Sequence, residues 1–304
     1  MIRFFTEPPF TAILLPLVIA ASIAVSGETD ASEKYVQVDG IKVFYQDTGP
    51  KDGQALLFIH GWACDATFWR RQVDAFSNRY RCIVLDLPGF GRSDKPDTVA
   101  YSLSLFAKAT KAVANDAGVA NPVLIGHSMG YAVARQVLIE YPESAGAVVN
   151  VDGAVMLFPK DPATVETWKK GLEEFALGFT GPGREATVDM LVEGVFYGKT
   201  PENIREFVRK TMTAVDPYVC ASSMAEFVKP EWWTPRIFDL PCLALYAENP
   251  MEDPALETNL REEFPGMTFM LWNDTGHFLM MEKPERFNGA LADFLDNFAE
   301  STTK

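Results

Sequence analysis

The sequence predicts an α/β fold: a mostly parallel sheet covered by helices and interrupted by a helical insertion. Three observations predict it. Short apolar runs recur with helix-length segments between them, as parallel strands with crossover connections require. Most of the runs are apolar throughout rather than alternating, so their strands are buried on both faces. The rhythm stops after Gly153 and resumes only at Pro241. At 304 residues the chain can bury one sizeable core, with room for an inserted segment.

The N-terminal residues differ in kind. Arg3 precedes the mostly apolar run "FTAILLPLVIAASIAV", Phe10 to Val25. It is short for a membrane span and is broken by a proline. Small residues at Ala24 and Ser26 then offer a cleavage site after Ser26. Residues 1–26 are therefore expected to be a signal peptide that exports the chain to the periplasm or beyond. The alternative is an uncleaved membrane anchor.

"YVQVDGIKVFYQDTG" (Tyr35–Gly49) predicts a hairpin with Asp39-Gly40 at its turn. "ALLFIHG" (Ala55–Gly61) is the first fully buried strand, and a short helix follows over Phe68–Asn78. "RCIVLDLPG" (Arg81–Gly89) is the next strand. Ser102–Gly118 has helical apolar spacing and stops at a glycine. "PVLIG" is a strand running into a helix over Met129–Tyr141, and Ala145–Gly153 is a further strand. From Ala154 to Asp239 no buried strand is evident. Helical stretches alternate there with breaks such as "GFTGPG", and aromatics including Trp168, Phe175, Phe179, Phe227 and Trp233 are frequent. This span is expected to form a helical cap. The sheet pattern returns with Pro241–Glu248, a helix over Pro254–Phe264, a strand over Met267–Trp272 and a last helix over Pro284–Ala299.

Composition narrows the partners. A net charge of −14 repels a phosphate backbone, so no nucleic-acid partner is expected. The four cysteines show no metal-like spacing, and no metal or cofactor is expected. Cys82 and Cys242 open apolar runs, where free thiols are commonly buried. Export would permit a Cys64–Cys220 disulfide.

The chemistry centres on Gly126-His127-Ser128-Met129-Gly130, a G-x-S-x-G motif between a predicted strand and a predicted helix. A serine on so tight a turn stands clear of the sheet, and flanking glycines let strand and helix approach closely. A hydroxyl needs a base to take its proton. The chain has three histidines. His127 adjoins the serine and should point elsewhere on the turn. His60 sits at the end of an early strand. His277 follows the last predicted strand on a glycine-containing loop, and alone is free to reach Ser128 from a distant segment. An acyl-transfer transition state also needs N–H donors for its oxyanion. Met129, after the nucleophile, supplies one. The loop after "LLFIHGW" is placed to supply the second from the backbone of Trp62.

"HGW" (60–62), "DLPGFGRSDKP" (86–96), "GHSMG" (126–130) and "GHFLMMEKPERF" (276–287) together resemble the α/β-hydrolase fold family. The resemblance covers residues 34–153 and 240–304, with the cap over 154–239 between them. It implies a catalytic triad whose acid has two candidate places. The usual aspartate falls on Pro250, which cannot serve, although Glu248, Glu252 and Asp253 lie close by. Some members, haloalkane dehalogenases and zearalenone-lactone hydrolases among them, take the acid from just beyond the strand after the nucleophile helix, here Asp152. Asp152 is favoured, because a triad is defined by geometry rather than position in the chain. Dehalogenases and the related epoxide hydrolases carry an aspartate where this chain has Ser128, so a serine points to acyl transfer instead. Tyr131 departs from the pattern, since many members have a glycine there.

The expected activity is hydrolysis of carboxylic esters of a small hydrophobic or aromatic molecule through an acyl-enzyme. A lactonase is the alternative within the same chemistry. A ligand-binding protein without catalysis is the alternative of another class.

Overall fold

The computed structural model describes residues 32–155, 161–196, 198–248 and 255–302. The expected signal peptide, Glu252 and Asp253 lie outside the described residues. Among the described residues no helix is long and apolar enough to cross a membrane.

The hairpin is β1 (Ser32–Val38) and β2 (Ile41–Thr48), paired antiparallel with Val38 opposite Ile41. Asp39 and Gly40 at its turn have φ of 50° and 83°, the paired positive values a two-residue turn of this kind needs. The other strands are β3 (Ala55–Ile59), β4 (Arg81–Leu85), β5 (Val123–His127), β6 (Ala147–Val151), β7 (Cys242–Ala247) and β8 (Thr268–Trp272). They form one eight-stranded sheet in the order β1-β2-β4-β3-β5-β6-β7-β8. From β4 to β8 every neighbouring pair is parallel, whereas β2 meets β4 antiparallel. Every residue of β3 to β7 is buried, which explains why these strands lack polar alternation.

The helices on the sheet are α1 (Arg70–Phe76), α2 (Leu103–Asp116) and α3 (Met129–Glu140). The single helix expected over Phe68–Asn78 is split. The Asp65 side chain accepts the Thr67 N–H and starts a 3₁₀ turn over Ala66–Trp69, from which α1 continues. Between β6 and β7 the chain leaves the sheet as α4 (Pro162–Gly178), α5 (Arg184–Val195), α6 (Glu202–Ala214) and α7 (Pro217–Phe227), followed by a 3₁₀ turn over Pro230–Trp233. After β7 come α8 (Leu256–Glu263), α9 (Leu279–Glu282) and α10 (Pro284–Thr302).

The return from the insertion is clamped to the core. Arg135 of α3 pairs with Glu263 and also donates to the carbonyls of Trp232 (2.8 Å) and Thr234 (2.7 Å). A guanidinium with all its neighbours satisfied in this way holds three segments at one point. All four cysteines are buried and free, so Cys64 and Cys220 are not bridged.

Strand order positions the site. The chain steps from β3 outward to β4, then returns across β3 to β5. In open parallel sheets a crevice forms outside the carboxyl ends of the strands at such a reversal. The segments leaving β3 and β5 there are His60-Gly61-Trp62 and Ser128.

Candidate active site

Ser128 links β5 directly to α3 with φ 53° and ψ −121°, a strained conformation for a residue with a side chain. The strain is held by its surroundings. Its N–H donates to the Val151 carbonyl (3.0 Å), and its own carbonyl accepts from Tyr131 (3.0 Å) and Ala154 (3.2 Å). The glycines are sterically required. A Cβ on Gly126 would lie 2.4 Å from the backbone of Gly130, and one on Gly130 would lie 2.3 Å from the Ile59 carbonyl oxygen. Strand, turn and helix therefore approach as closely as the motif predicts.

Asp152 and His277 come together. Asp152 lies just past β6 with φ 45°, its N–H donating to the Leu245 carbonyl (2.7 Å). One carboxylate oxygen, Oδ1, accepts the Ala247 N–H (2.8 Å), and Oδ2 lies 2.5 Å from His277 Nδ1. Glu248 is exposed, and its backbone N–H donates to the Trp272 carbonyl (2.7 Å). Of the described acids, Asp152 is the one placed against the histidine.

His277 is also held through its main chain. Its N–H donates to the carbonyl of Val195 at the end of α5 (2.8 Å), and its carbonyl lies 2.9 Å from Nε2 of His127. The next residues belong to the same network, with Glu282 accepting from the Gly276 N–H (3.2 Å) and the Thr200 hydroxyl. Burial pushes the Glu282 carboxyl above its ordinary pKa. His60 is buried too. Its Nε2 accepts the Leu87 N–H (3.0 Å), so its Nδ1 carries the proton donated to the Gly61 carbonyl (2.7 Å). Burial lowers the pKa of His60 and lowers that of His127 strongly.

Trp62 follows Gly61 beside Ser128. A Cβ on Gly61 would lie 3.2 Å from Ser128 Cβ, so the two loops are in close contact. The Trp62 indole donates to Ser223 Oγ of α7 (2.9 Å) and meets Phe179 edge-on, with ring centroids 4.6 Å apart. Among the described residues the backbone N–H groups of Trp62 and Met129 have no hydrogen-bond acceptor.

These groups share one cavity of about 220 Å³. Ser128, His277, Trp62 and Met129 lie on its sheet side, while Phe175, Leu191, Met212 and Phe227 are among the residues the insertion contributes. No Asp, Glu, Lys or Arg lines it among the described residues. A larger cavity of about 560 Å³, beside Arg135 and Glu263, touches neither Ser128 nor His277. Among the described residues no cluster of His, Cys, Asp or Glu is arranged to hold a metal ion. Tyr131 is fully buried, with its ring 2.6 Å from where a Gly153 Cβ would stand, so it fills the space beneath the turn carrying Asp152.

The family model for the alpha/beta hydrolase fold matches residues 54–284. The chain belongs to this family. Relatives extend over nearly the whole of it. A 2-hydroxy-6-oxononadienedioate/2-hydroxy-6-oxononatrienedioate hydrolase from Paraburkholderia phymatum is 28% identical, covering 87% of this chain and 96% of the relative. Two solved structures share the fold at lower identity. An esterase from Exiguobacterium antarcticum superposes with a TM-score of 0.75 at 18% identity, over 87% of this chain and 100% of that one. Est816, described as an N-acyl homoserine lactone degrading enzyme, gives 0.69 at 22% identity, over 86% and 100%.

Three contacts of this hydrolase were not visible in its sequence: His127 with the His277 carbonyl, Val195 with the His277 N–H, and Trp62 with Ser223. The first joins residues 150 positions apart and the third joins residues 161 apart. Nothing local to either partner marks such a pairing.

Proposed function

We propose that this hydrolase cleaves carboxylic ester bonds of small, neutral, hydrophobic molecules by acyl transfer through Ser128. The observation that carries the reading is the Asp152–His277 hydrogen bond opening on the same apolar cavity as the strained Ser128 turn.

The mechanism follows from that geometry. With Nδ1–H donated to Asp152, the free lone pair of His277 is on Nε2. As Ser128 Oγ attacks the ester carbonyl, His277 takes the hydroxyl proton and becomes an imidazolium that Asp152 stabilises. The unpaired N–H groups of Trp62 and Met129 receive the oxyanion, each such donor being worth about 3 kcal/mol in reactions of this type. His277 then gives its proton to the leaving alkoxide, and the alcohol departs. Water attacks the acyl-enzyme with His277 again as base, the acid is released and Ser128 regains its proton.

The insertion acts as a cap in this reading. It walls the cavity with apolar side chains, which favours hydrophobic acyl or aromatic groups. The named substrate of the Paraburkholderia relative is a dioate, whose carboxylates would find no cationic side chain among the described residues of the cavity. A lactonase is the second reading, favoured by the compact apolar cavity and by the fold shared with Est816. Residues 1–26 complete the proposal as an export signal.

Fluorophosphonate labelling followed by peptide mapping tests the reading. Labelling is expected at Ser128 and is expected to vanish in Ser128→Ala together with hydrolysis of p-nitrophenyl esters and lactones. An unlabelled, inactive but folded wild type would favour a binding protein on this fold.

A further inference from the structure

We propose that His127 is a positioning residue that sets the reach of His277 toward Ser128 through its Nε2–H tautomer. The inference rests on His277 being the base proposed above. His127 ends β5, one residue before the nucleophile, so its ring is carried by the same rigid strand end. The ring is fully enclosed, with its centroid 4.6 Å from that of His277 and 5.0 Å from that of Phe278. Trp69 closes another side edge-on at 6.5 Å.

The tautomer follows from the partners. A carbonyl oxygen only accepts, so the 2.9 Å contact with the His277 carbonyl places a proton on His127 Nε2. Nδ1 is buried with no partner in the structure. A second proton there would leave an unpaired N–H and a charge within the apolar shell, and it would face the imidazolium that His277 forms during turnover. The titratable groups acting on the ring are His277 and His60, and the charge of each, when present, opposes its protonation. The ring thus stays a neutral donor while its neighbour cycles.

The base is consequently fixed at three points that lie in three parts of the fold. Asp152 orients the ring from β6, Val195 holds the N–H from the insertion, and His127 holds the C=O from the strand that carries the nucleophile. Only the last ties the base to the nucleophile's own element. Loss of that tie leaves His277 paired with Asp152 but free to drift from Ser128, and displacements near 1 Å cost about 100-fold in rate.

The side chain offers an unusually clean test. Glutamine places an amide N–H at the position of Nε2, asparagine places it at Nδ1, and phenylalanine keeps the shape without a donor. His127→Phe and His127→Asn are expected to lose about 10- to 100-fold in kcat with KM for a p-nitrophenyl ester within threefold, and His127→Gln to recover at least tenfold of that loss. The low-field proton NMR signal of His277 Nδ1–H is expected to shift or broaden in the first two and to return in the third. The wild type supplies an independent readout that does not depend on variant folding. Nitrogen-15 shifts of its histidines are expected to show His127 protonated at Nε2 alone from pH 6 to 9. A Nδ1–H tautomer, titration within that range, or a folded His127→Phe with unchanged kcat and low-field signal would each overturn the proposal. Unlabelled Ser128 with the expected His127 tautomer would instead overturn the esterase reading, and with it the positioning role, while leaving the hydrogen bond to the His277 carbonyl in place.

Discussion

Replacing Asp152 by asparagine changes one atom and should remove nearly all turnover, for a reason set by a second hydrogen bond. In the wild type Oδ1 accepts the Ala247 N–H while Oδ2 receives His277 Nδ1–H. An amide has one oxygen and one NH₂. If the oxygen stays on Ala247, the NH₂ faces Nδ1 of His277 and demands a lone pair there. The imidazole then carries its proton on Nε2, the atom that must accept from Ser128. If the amide turns over, its NH₂ opposes the Ala247 N–H in a buried site instead. The first arrangement fixes the tautomer that cannot accept from Ser128, and the second sets two donors against each other, at about 1–3 kcal/mol for each left unpaired. Loss of the carboxylate also removes the charge that stabilises the imidazolium. Together these amount to about 4–5.5 kcal/mol, or ~10³–10⁴-fold in kcat at 1.36 kcal/mol per decade. Stopped-flow or steady-state hydrolysis of p-nitrophenyl acetate measures it, with circular dichroism as the check on folding. Glu248→Gln, Glu252→Gln and Asp253→Asn should stay within about threefold of wild type. An Asp152→Asn enzyme within tenfold of wild type, or a larger loss in one of the other three, would refute the assignment.

Two further outcomes follow from other parts of the molecule. Phe175 lies on the cavity wall and packs against Phe179, with centroids 5.0 Å apart. Phe175→Ala should raise the kcat/KM ratio of octanoate over butyrate p-nitrophenyl esters by about tenfold or more, since a methylene accommodated or refused is worth about 1–3 kcal/mol; an unchanged ratio would place the acyl chain elsewhere. Stability should fall as pH drops below about 6.5, because His60 and His127 stay neutral when folded while the unfolded chain protonates them. The unfolded state then binds more protons, giving a slope of up to about 2.7 kcal/mol per pH unit for the two together. Burial raises the Asp86 carboxyl, which opposes the trend at still lower pH. Urea unfolding at pH 7, 6 and 5 reads the slope, and a flat profile would contradict the buried neutral state of both rings.

Much of this protein is legible in its sequence because the signals are local. β3 to β7 are continuous apolar runs because both faces of the sheet are covered, and that pattern can be read five residues at a time. The turn at Ser128 is legible for a similar reason. Gly126 is demanded by the backbone of Gly130 four residues on, so that part of the steric need is written beside the serine, whereas Gly130 answers to the Ile59 carbonyl of β3. His277 emerged by elimination among three histidines. Local chemistry competes with the pattern at one place, where Asp65 caps a 3₁₀ turn and divides what periodicity presents as one helix.

The acid behind His277 belongs to the other class. Asp152, Glu248, Glu252 and Asp253 are all carboxylates beyond strand ends, and nothing beside them separates their roles. Parallel pairing of β6 with β7 sets Val151 opposite Leu245, which brings the Ala247 N–H to one Asp152 oxygen and leaves the other for a histidine 125 residues away. The contact between His127 and the His277 carbonyl is of the same kind. Adjacency to Ser128 gives no sign of it, because the carbonyl partner belongs to a loop that follows the last strand, 150 residues on. Burial patterns repeat along the chain and survive in the sequence. Hydrogen bonds between distant segments depend on register and packing, so only the tertiary structure decides them.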